Sequence, residues 1–262
     1  AQMAADGRGC EFDDIIVRGV DTDQSPYDSG SYASSTTYVT GMAVVKACEE
    51  LKGKIVQMAA ELMQIEADHI TFDGSKIVSV QDGKEMELKD FAHTCFAGGK
   101  GRNLIATGSH VSKTSPPPFM VGIAEVDVDK ETGAVSVHDY VSVVDCGTII
   151  NSNLVRVQAE GGIAQGIGMA LFEDIKYSDK GKMINNSFFQ YKIPTRLDVG
   201  TIRVDFIPSY EDNGPFGAKS IGEVVINTPS PAIASAVRHA TGFQVRTLPI
   251  TPEKVLFKKD ED

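Results

Sequence analysis

The chain predicts a mixed α+β fold, and three patterns carry that prediction. Val44, Ala47, Cys48, Leu51, Ile55, Met58, Ala59 and Leu62 recur at helical spacing, which gives residues 39–63 one apolar face. Residues 121–128 and 134–144 alternate apolar and polar on either side of Asp129-Lys130-Glu131-Thr132-Gly133. That is the pattern of an antiparallel hairpin in which Gly133 supplies the positive φ. A helix near the C-terminal end carries its own punctuation, with Ser230 as N-cap, Pro231 in the first turn and Gly242 just past the last.

The remaining elements follow in order. A short helix starts at Ala1 and runs toward an extended stretch at 15–18. Gln2-Met3-Ala4-Ala5-Asp6 recurs as Gln57-Met58-Ala59-Ala60-Glu61, and at the same offset Glu11, Asp13 and Ile15 match Glu66, Asp68 and Ile70. Two copies are too few for a solenoid and point to a duplicated α/β unit within one layered domain; chance similarity is the alternative. A polar, turn-rich stretch spans 21–37, a hairpin turns at Asp73-Gly74-Ser75, and a helix covers 88–96. Gly98-Gly99-Lys100-Gly101 lacks the Gly-Lys-Ser/Thr ending of a phosphate-binding loop. Pro116-Pro117-Pro118 is a rigid extended connector and divides the chain into domains at 1–115 and 119–262. Beyond the hairpin lie a helix over 153–171 and strands near 173–177 and 201–207.

Hydrophobic content of 42% and charged content of 23% are those of an ordinary globular protein. Apolar runs fall well short of the roughly 18 residues of a membrane span. The start, Ala1-Gln2-Met3-Ala4-Ala5-Asp6, has no basic segment leading into an apolar one, so a cytoplasmic location is expected. A helix that begins at once, without an initiator Met, suggests a processed or truncated chain. The net charge of −11, with no Lys/Arg cluster, argues against nucleic acid as a partner. Cys10, Cys48, Cys95 and Cys146 are widely spaced and read as buried free thiols, so any iron–sulfur cluster belongs on another chain. His69, His93, His110, His138 and His239 form no pair at metal-ligand spacing. No Gly-x-Ser-x-Gly elbow is present, which argues against that type of serine hydrolase.

Three segments are unlike core or plain surface. Ser29-Gly30-Ser31-Tyr32-Ala33-Ser34-Ser35-Thr36-Thr37 stands at the entrance of the long helix, where free amides and hydroxyls suit a phosphate. A capped loop without a ligand fits the same composition. Gln158-Ala159-Glu160-Gly161-Gly162-Ile163-Ala164-Gln165-Gly166-Ile167-Gly168 puts four glycines on a helix, each costing about 1 kcal/mol against Ala. Gln158 and Gln165 share a face with Gly161 and Gly162 between them, open either to a flat hydrogen-bonding ligand or to close helix packing. Glu160 points elsewhere, toward solvent. Gly217-Ala218-Lys219-Ser220-Ile221-Gly222-Glu223 sets one carboxylate after a glycine and before an apolar run, which fits a general base or a turn with a solvated Glu.

In this order and spacing the segments resemble the C-terminal half of the molybdenum-binding portion of the xanthine oxidase/aldehyde oxidase family of molybdenum hydroxylases. The resemblance extends to Asp21-Thr22-Asp23, Ser25-Pro26-Tyr27, Gly41, Val143-Val144-Asp145-Cys146-Gly147, Tyr191-Lys192-Ile193-Pro194 and Leu248-Pro249-Ile250-Thr251-Pro252-Glu253, nearly the whole chain. It implies a molybdopterin cofactor, in the cytosine dinucleotide form with a sulfido or selenido ligand, whose molybdenum is held by the pterin dithiolene. It implies cofactor contacts from Gly30, Ser31, Tyr32, Ala33, Ser34, Ser35 and Thr36, from Gln158 and Gln165, and from Lys219, Ser220 and Gly222. Glu223 would be the base beside the metal, no protein side chain being a direct ligand. The implied reaction hydroxylates an electron-poor carbon with water as the oxygen source, and electrons leave through [2Fe-2S] clusters to FAD on partner subunits. Val224-Val225 stand where many members carry Pro-Pro, and Ser35 where many carry Arg. The family's earlier motifs, including the glutamine-glycine loop beside the cofactor, are missing. A second molybdopterin subunit is therefore expected to complete the site, as in the nicotinate dehydrogenases of anaerobic bacteria. Nicotinate is accordingly the favoured substrate; a fragment of an undivided enzyme is the rival reading.

Overall fold

The computed structural model describes residues 1–19, 21–97 and 103–259. Two compact units result, Ala1–Ser115 with Asp212–Ala218, and Pro116–Glu211 with Lys219–Asp262. The Gly98-Gly99-Lys100-Gly101 loop lies outside the described residues.

The first unit is organised by a single long helix. Helix α1 (Gln2–Arg8) packs on α2 (Thr36–Met63), whose apolar stripe buries Cys48, Ile55 and Ala59. Strands β1 (Ile70–Phe72), β2 (Lys76–Ser79) and β3 (Glu85–Glu87) form an antiparallel sheet in that order, followed by α3 (Leu88–Ala97). Ile55, Ala59, Ile70, Ile77, Phe91 and Cys95 make its core.

The sequence repeat is also a backbone repeat. Gly9 and Gln64 both end their helices in the left-handed region, at φ 82° and 56°. Each is followed by a short 3-10 turn, Phe12–Asp14 and Ala67–His69, and then by extended Ile15 or Ile70. The copies touch at their turns: a Cβ on Gly74, at φ 110°, would overlap the carbonyl of Gly9. Only the second copy becomes a strand. The expected strand at 15–18 is absent, because no neighbouring strand pairs with it among the described residues, and Ile16 and Val17 are exposed.

The second unit is a three-stranded sheet with helices on one face. Strand β4 (Phe119–Val128) pairs antiparallel with β5 (Val135–Asp145), and the turn places Gly133 at φ 77° as the sequence requires. A register shift at Glu125/Val126 leaves His138 unpaired in the ladder, a bulge that bends the hairpin. Helix α4 (Ser152–Leu171) is capped by the Asn151 carboxamide, which accepts from the Asn153 and Leu154 amides at 3.1 and 2.9 Å. The chain then returns as β6 (Thr201–Phe206), parallel to β5, with β5 in the middle of the sheet. The expected strand at 173–177 is only an isolated bridge between Tyr177 and Met183.

Short α5 (Val224–Asn227) leads into α6 (Pro229–Thr241), and α7 (Pro252–Phe257), not anticipated from the sequence, closes the unit. Helix α6 begins earlier than expected. Thr228 occupies the N-cap without a side-chain bond, and Pro229, not Pro231, opens the first turn. Pro229 already has the φ of a helix, so the helix includes Ser230 rather than starting after it. Gly242 ends it at φ 73°.

The inward faces of β4, β5 and β6 bury Val137, Tyr140, Ile163, Ile167, Ile233 and Val237. The Tyr140 ring crosses Gly122, where any side chain would collide with it, and its hydroxyl meets Thr228 Oγ1 at 2.8 Å. Burial pushes the Tyr140 phenol up, and the Thr228 bond partly offsets this. On the outward face of the edge strand β4, Phe119, Val121 and Ile123 are exposed. No helix among the described residues is long and apolar enough to cross a membrane. Ile163 has no exposed surface, so Ile163→Ala is expected to lower unfolding free energy by about 2–5 kcal/mol, read from the urea midpoint.

Candidate functional site

A cleft of about 750 Å³ opens on the second unit beside α4, lined by Leu154, Val157, Gln158, Gly161, Gly162, Gln165, Gly222, Glu223 and Ile226. Its size is that of a small-molecule site. Residues 158, 161, 162 and 165 fall on one face of a helix because 3.6 residues make a turn. The side-chain amides of Gln158 and Gln165 have no hydrogen-bond partner among the described residues. Glu223 reaches the same cleft from the loop before α5. Glu160 is turned away and pairs with Arg156 one turn back, at 3.4 Å.

The glycines of α4 divide between the two roles left open by the sequence. A Cβ on Gly161 would meet nothing within 4 Å, so this residue leaves bare backbone facing the cleft. Gly162, Gly166 and Gly168 are packing residues. A Cβ on Gly162 would overlap the Val225 side chain, and one on Gly166 would lie 2.7 Å from Pro229 Cγ. At Gly168 it would lie 2.8 Å from Pro194 Cδ.

Lys219 and Ser220 do not line the cleft. The Lys219 ammonium donates to Asp145 Oδ2 at 2.9 Å, 5.6 Å above the Phe119 ring centroid, and its amide donates to the Cys146 carbonyl at 2.8 Å. Asp145 also accepts from Ser209 Oγ at 2.5 Å and from the Gly147 amide at 3.0 Å. Desolvation pushes the Asp145 carboxyl up. Together the bonds from Ser209, Gly147 and Lys219 outweigh it and hold the carboxyl below its usual 3.8. Lys219 thus fastens the start of the Glu223 loop to the end of β5. Asp145 stands inside Val-Val-Asp-Cys-Gly, but nothing in the sequence signals that it meets Lys219.

In the first unit, residues 30–36 form one exposed turn leading into α2. Gly30, at φ 100°, donates its amide to Asp28 Oδ1 at 2.7 Å, and Asp28 Oδ2 accepts from Thr40 Oγ1 at 3.1 Å. Tyr32–Ser34 make a 3-10 turn with Ala33 and Ser34 at φ 50° and 57°, conformations that cost energy in non-glycine residues. Ser35 is the N-cap of α2 and makes no side-chain capping bond. The first turn of α2, to which Ser35 adds no side-chain bond, thus stands beside the side chains of Ser31, Tyr32 and Thr36, the chemistry of an anion site.

Among the described residues no group of three or more His, Cys, Asp or Glu could hold a metal ion. Cys48, Cys95 and Cys146 are buried and Cys10 is half-buried. Burial raises the Cys48 and Cys146 thiols, leaving them in the protonated, unreactive form.

A family model described as the molybdopterin cofactor-binding domain matches residues 1–200. The chain belongs to that family, the molybdenum-binding portion of xanthine oxidase-type enzymes. It is 34% identical to the putative xanthine dehydrogenase molybdenum-binding subunit of Escherichia coli K12, over 97% of this chain and 35% of that protein. It is 33% identical to the nicotine 6-hydroxylase large subunit of Paenarthrobacter nicotinovorans, over 98% of this chain and 33% of that protein. The structure of quinoline 2-oxidoreductase from Pseudomonas putida 86 superposes with a TM-score of 0.86 at 27% identity, covering 98% of this chain and 34% of that one. The chain spans about a third of the length of these relatives.

Two outcomes follow. Gly161→Ala should raise stability by about 0.5–1 kcal/mol, and Gly168→Ala should lower it, as compared in denaturant melts. The second concerns acid. Because the folded Asp145 carboxyl is held below 3.8, its contribution is present above that pH and is lost as pH falls through the folded value. Asp145→Asn should cost about 1–3 kcal/mol at neutral pH and flatten the loss of melting temperature below pH 4.

Proposed function

We propose that this chain is the base-bearing, cofactor-holding portion of a molybdenum hydroxylase that acts on an N-heterocyclic aromatic, nicotinate first. One observation carries the proposal: Gln158, Gln165, Gly222 and Glu223 line a single cleft. Relatives named for xanthine, nicotine and quinoline support a heterocyclic substrate.

The residues fit a molybdopterin. Two unpartnered amides and the bare backbone at Gly161 suit the hydrogen-bonding edge of a flat pterin. The start of α2, with Ser31, Ala33, Ser34, Ser35 and Thr36, suits the phosphates of a cytosine dinucleotide form. When bound, the molybdenum cofactor, with its sulfido or selenido ligand, supplies the two-electron oxidation. Glu223 takes up the proton released as water-derived oxygen is delivered to the substrate, and its open position lets the proton pass to solvent. Lys219, bound to Asp145, acts on the site by holding the loop.

A second molybdopterin chain completes the cleft, and [2Fe-2S] and FAD subunits in the same cytoplasmic complex carry the electrons away. In this reading the chain corresponds to the medium molybdopterin subunit of a nicotinate dehydrogenase. A purine-oxidising enzyme is the second reading, favoured by the similarity to the xanthine dehydrogenase subunit. A substrate screen of the assembled enzyme, with aldehydes included, separates the two.

In the assembled enzyme Glu223→Gln should retain molybdenum and pterin while turnover falls about 10²–10⁴-fold. Undiminished turnover would reduce the chain to a cofactor-holding subunit. Gln158→Ala should instead lower the pterin content of the purified complex.

A further inference from the structure

Glu223 belongs to a loop, yet its place against α4 is fixed two residues later. Val225 is completely buried and rests on Gly162, so closely that a Cβ there would overlap its Cγ2 and come 3.1 Å from its Cβ. One turn further along α4, Pro229 sits on Gly166 in the same way, and the Ile226 carbonyl lies 3.1 Å from where a Gly166 Cβ would be. Ser230 Oγ donates to the Gly166 carbonyl at 3.5 Å. These contacts are interleaved with the cleft residues along α4: Gln158, then Gly162, which also borders the cleft, then Gln165 and Gly166. The chain after Glu223 is thus indexed against the helix that carries both glutamines. Shifting it along or away from α4 requires lifting Val225 and Pro229 out of hollows that exist only because hydrogens stand at Gly162 and Gly166 where methyl groups would be.

We infer that Gly162 and Val225 are positioning residues, a knob and hollow that set the distance of the Glu223 carboxylate from the Gln158–Gln165 face. This inference rests on the proposed role of Glu223 as base. Val225 is wholly buried, and Gly162 has no side chain to offer. The effect is transmitted through the backbone of residues 223–225, short enough that a displacement at Val225 reaches Glu223 undiminished. Misplacement of a reacting group by about 1 Å costs on the order of 10²-fold in rate.

The test uses the assembled enzyme. Gly162→Ala should lower kcat about 10²-fold with KM and pterin content unchanged, and a crystal structure should show the Glu223 carboxylate displaced from Gln158 by about 1 Å. Adding Val225→Ala to that variant removes the overlapping methyls and should restore at least a tenth of the lost rate and the original carboxylate position. Val225→Ala alone leaves a cavity rather than a clash, and carries the test if Gly162→Ala does not fold; it too should lower kcat with the carboxylate moved. Full kcat with an unmoved Glu223 in either single variant, or a double variant no better than Gly162→Ala, overturns the inference. Glu223→Gln separates the two claims. If it is inactive while Gly162→Ala is fully active, only the positioning role fails; if Glu223→Gln is fully active, the role of Glu223 itself fails.

Discussion

Direct backbone-level contact between α4 and the chain that follows Glu223 is the constraint on which the second unit depends. It determines which residues α4 can contain. A helix with four glycines in eight positions forms poorly by itself, so α4 is held by what packs on it. Asn151 caps its start, the inward faces of the sheet meet Ile163 and Ile167, and the two short helices α5 and α6 lean on Gly162 and Gly166. Packing of this kind leaves the adjoining stripe of the same helix free for Gln158, Gly161 and Gln165.

The Lys219–Asp145 pair performs the complementary task at the other end of the loop. It is a largely desolvated ion pair, and such pairs contribute little net stability when weighed against apolar replacements. Its value lies in direction. One ammonium reaches one carboxylate that is already bonded by Ser209 and Gly147, so the loop has a single place to start. Between this anchor and the Val225 contact only five residues remain, and Glu223 is among them.

Much of this was legible in the sequence, for reasons that differ by element. The stripe of α2 and the β4–β5 alternation are local periodicities, and Gly133 and Gly242 have their expected positive φ. The glutamine spacing on α4 correctly implied a shared face. What failed was non-local. The stretches at 15–18 and 173–177 have strand-like composition, but a strand exists only with a neighbour, which composition does not report. Ser230 is a good N-cap residue by type, yet Pro229 one position earlier takes the helix start from it. The ion pair of Lys219 is equally non-local. Its fixed partner, Asp145, is distant along the chain, and only the fold brings the two together.

The outward side of β4 has a practical meaning for anyone handling this chain. Phe119, Val121 and Ile123 alternate outward along a ten-residue strand whose far edge has no neighbour among the described residues. An edge that is long and apolar is a template for self-association, the hazard that folded sheet proteins usually blunt with charge or cover. Glu125 and Asp127, on the same strand and face, and the net charge of −11 provide the charge. Charge is therefore what opposes self-association along this strand, and that opposition weakens in concentrated salt and near the isoelectric point at about pH 4.9.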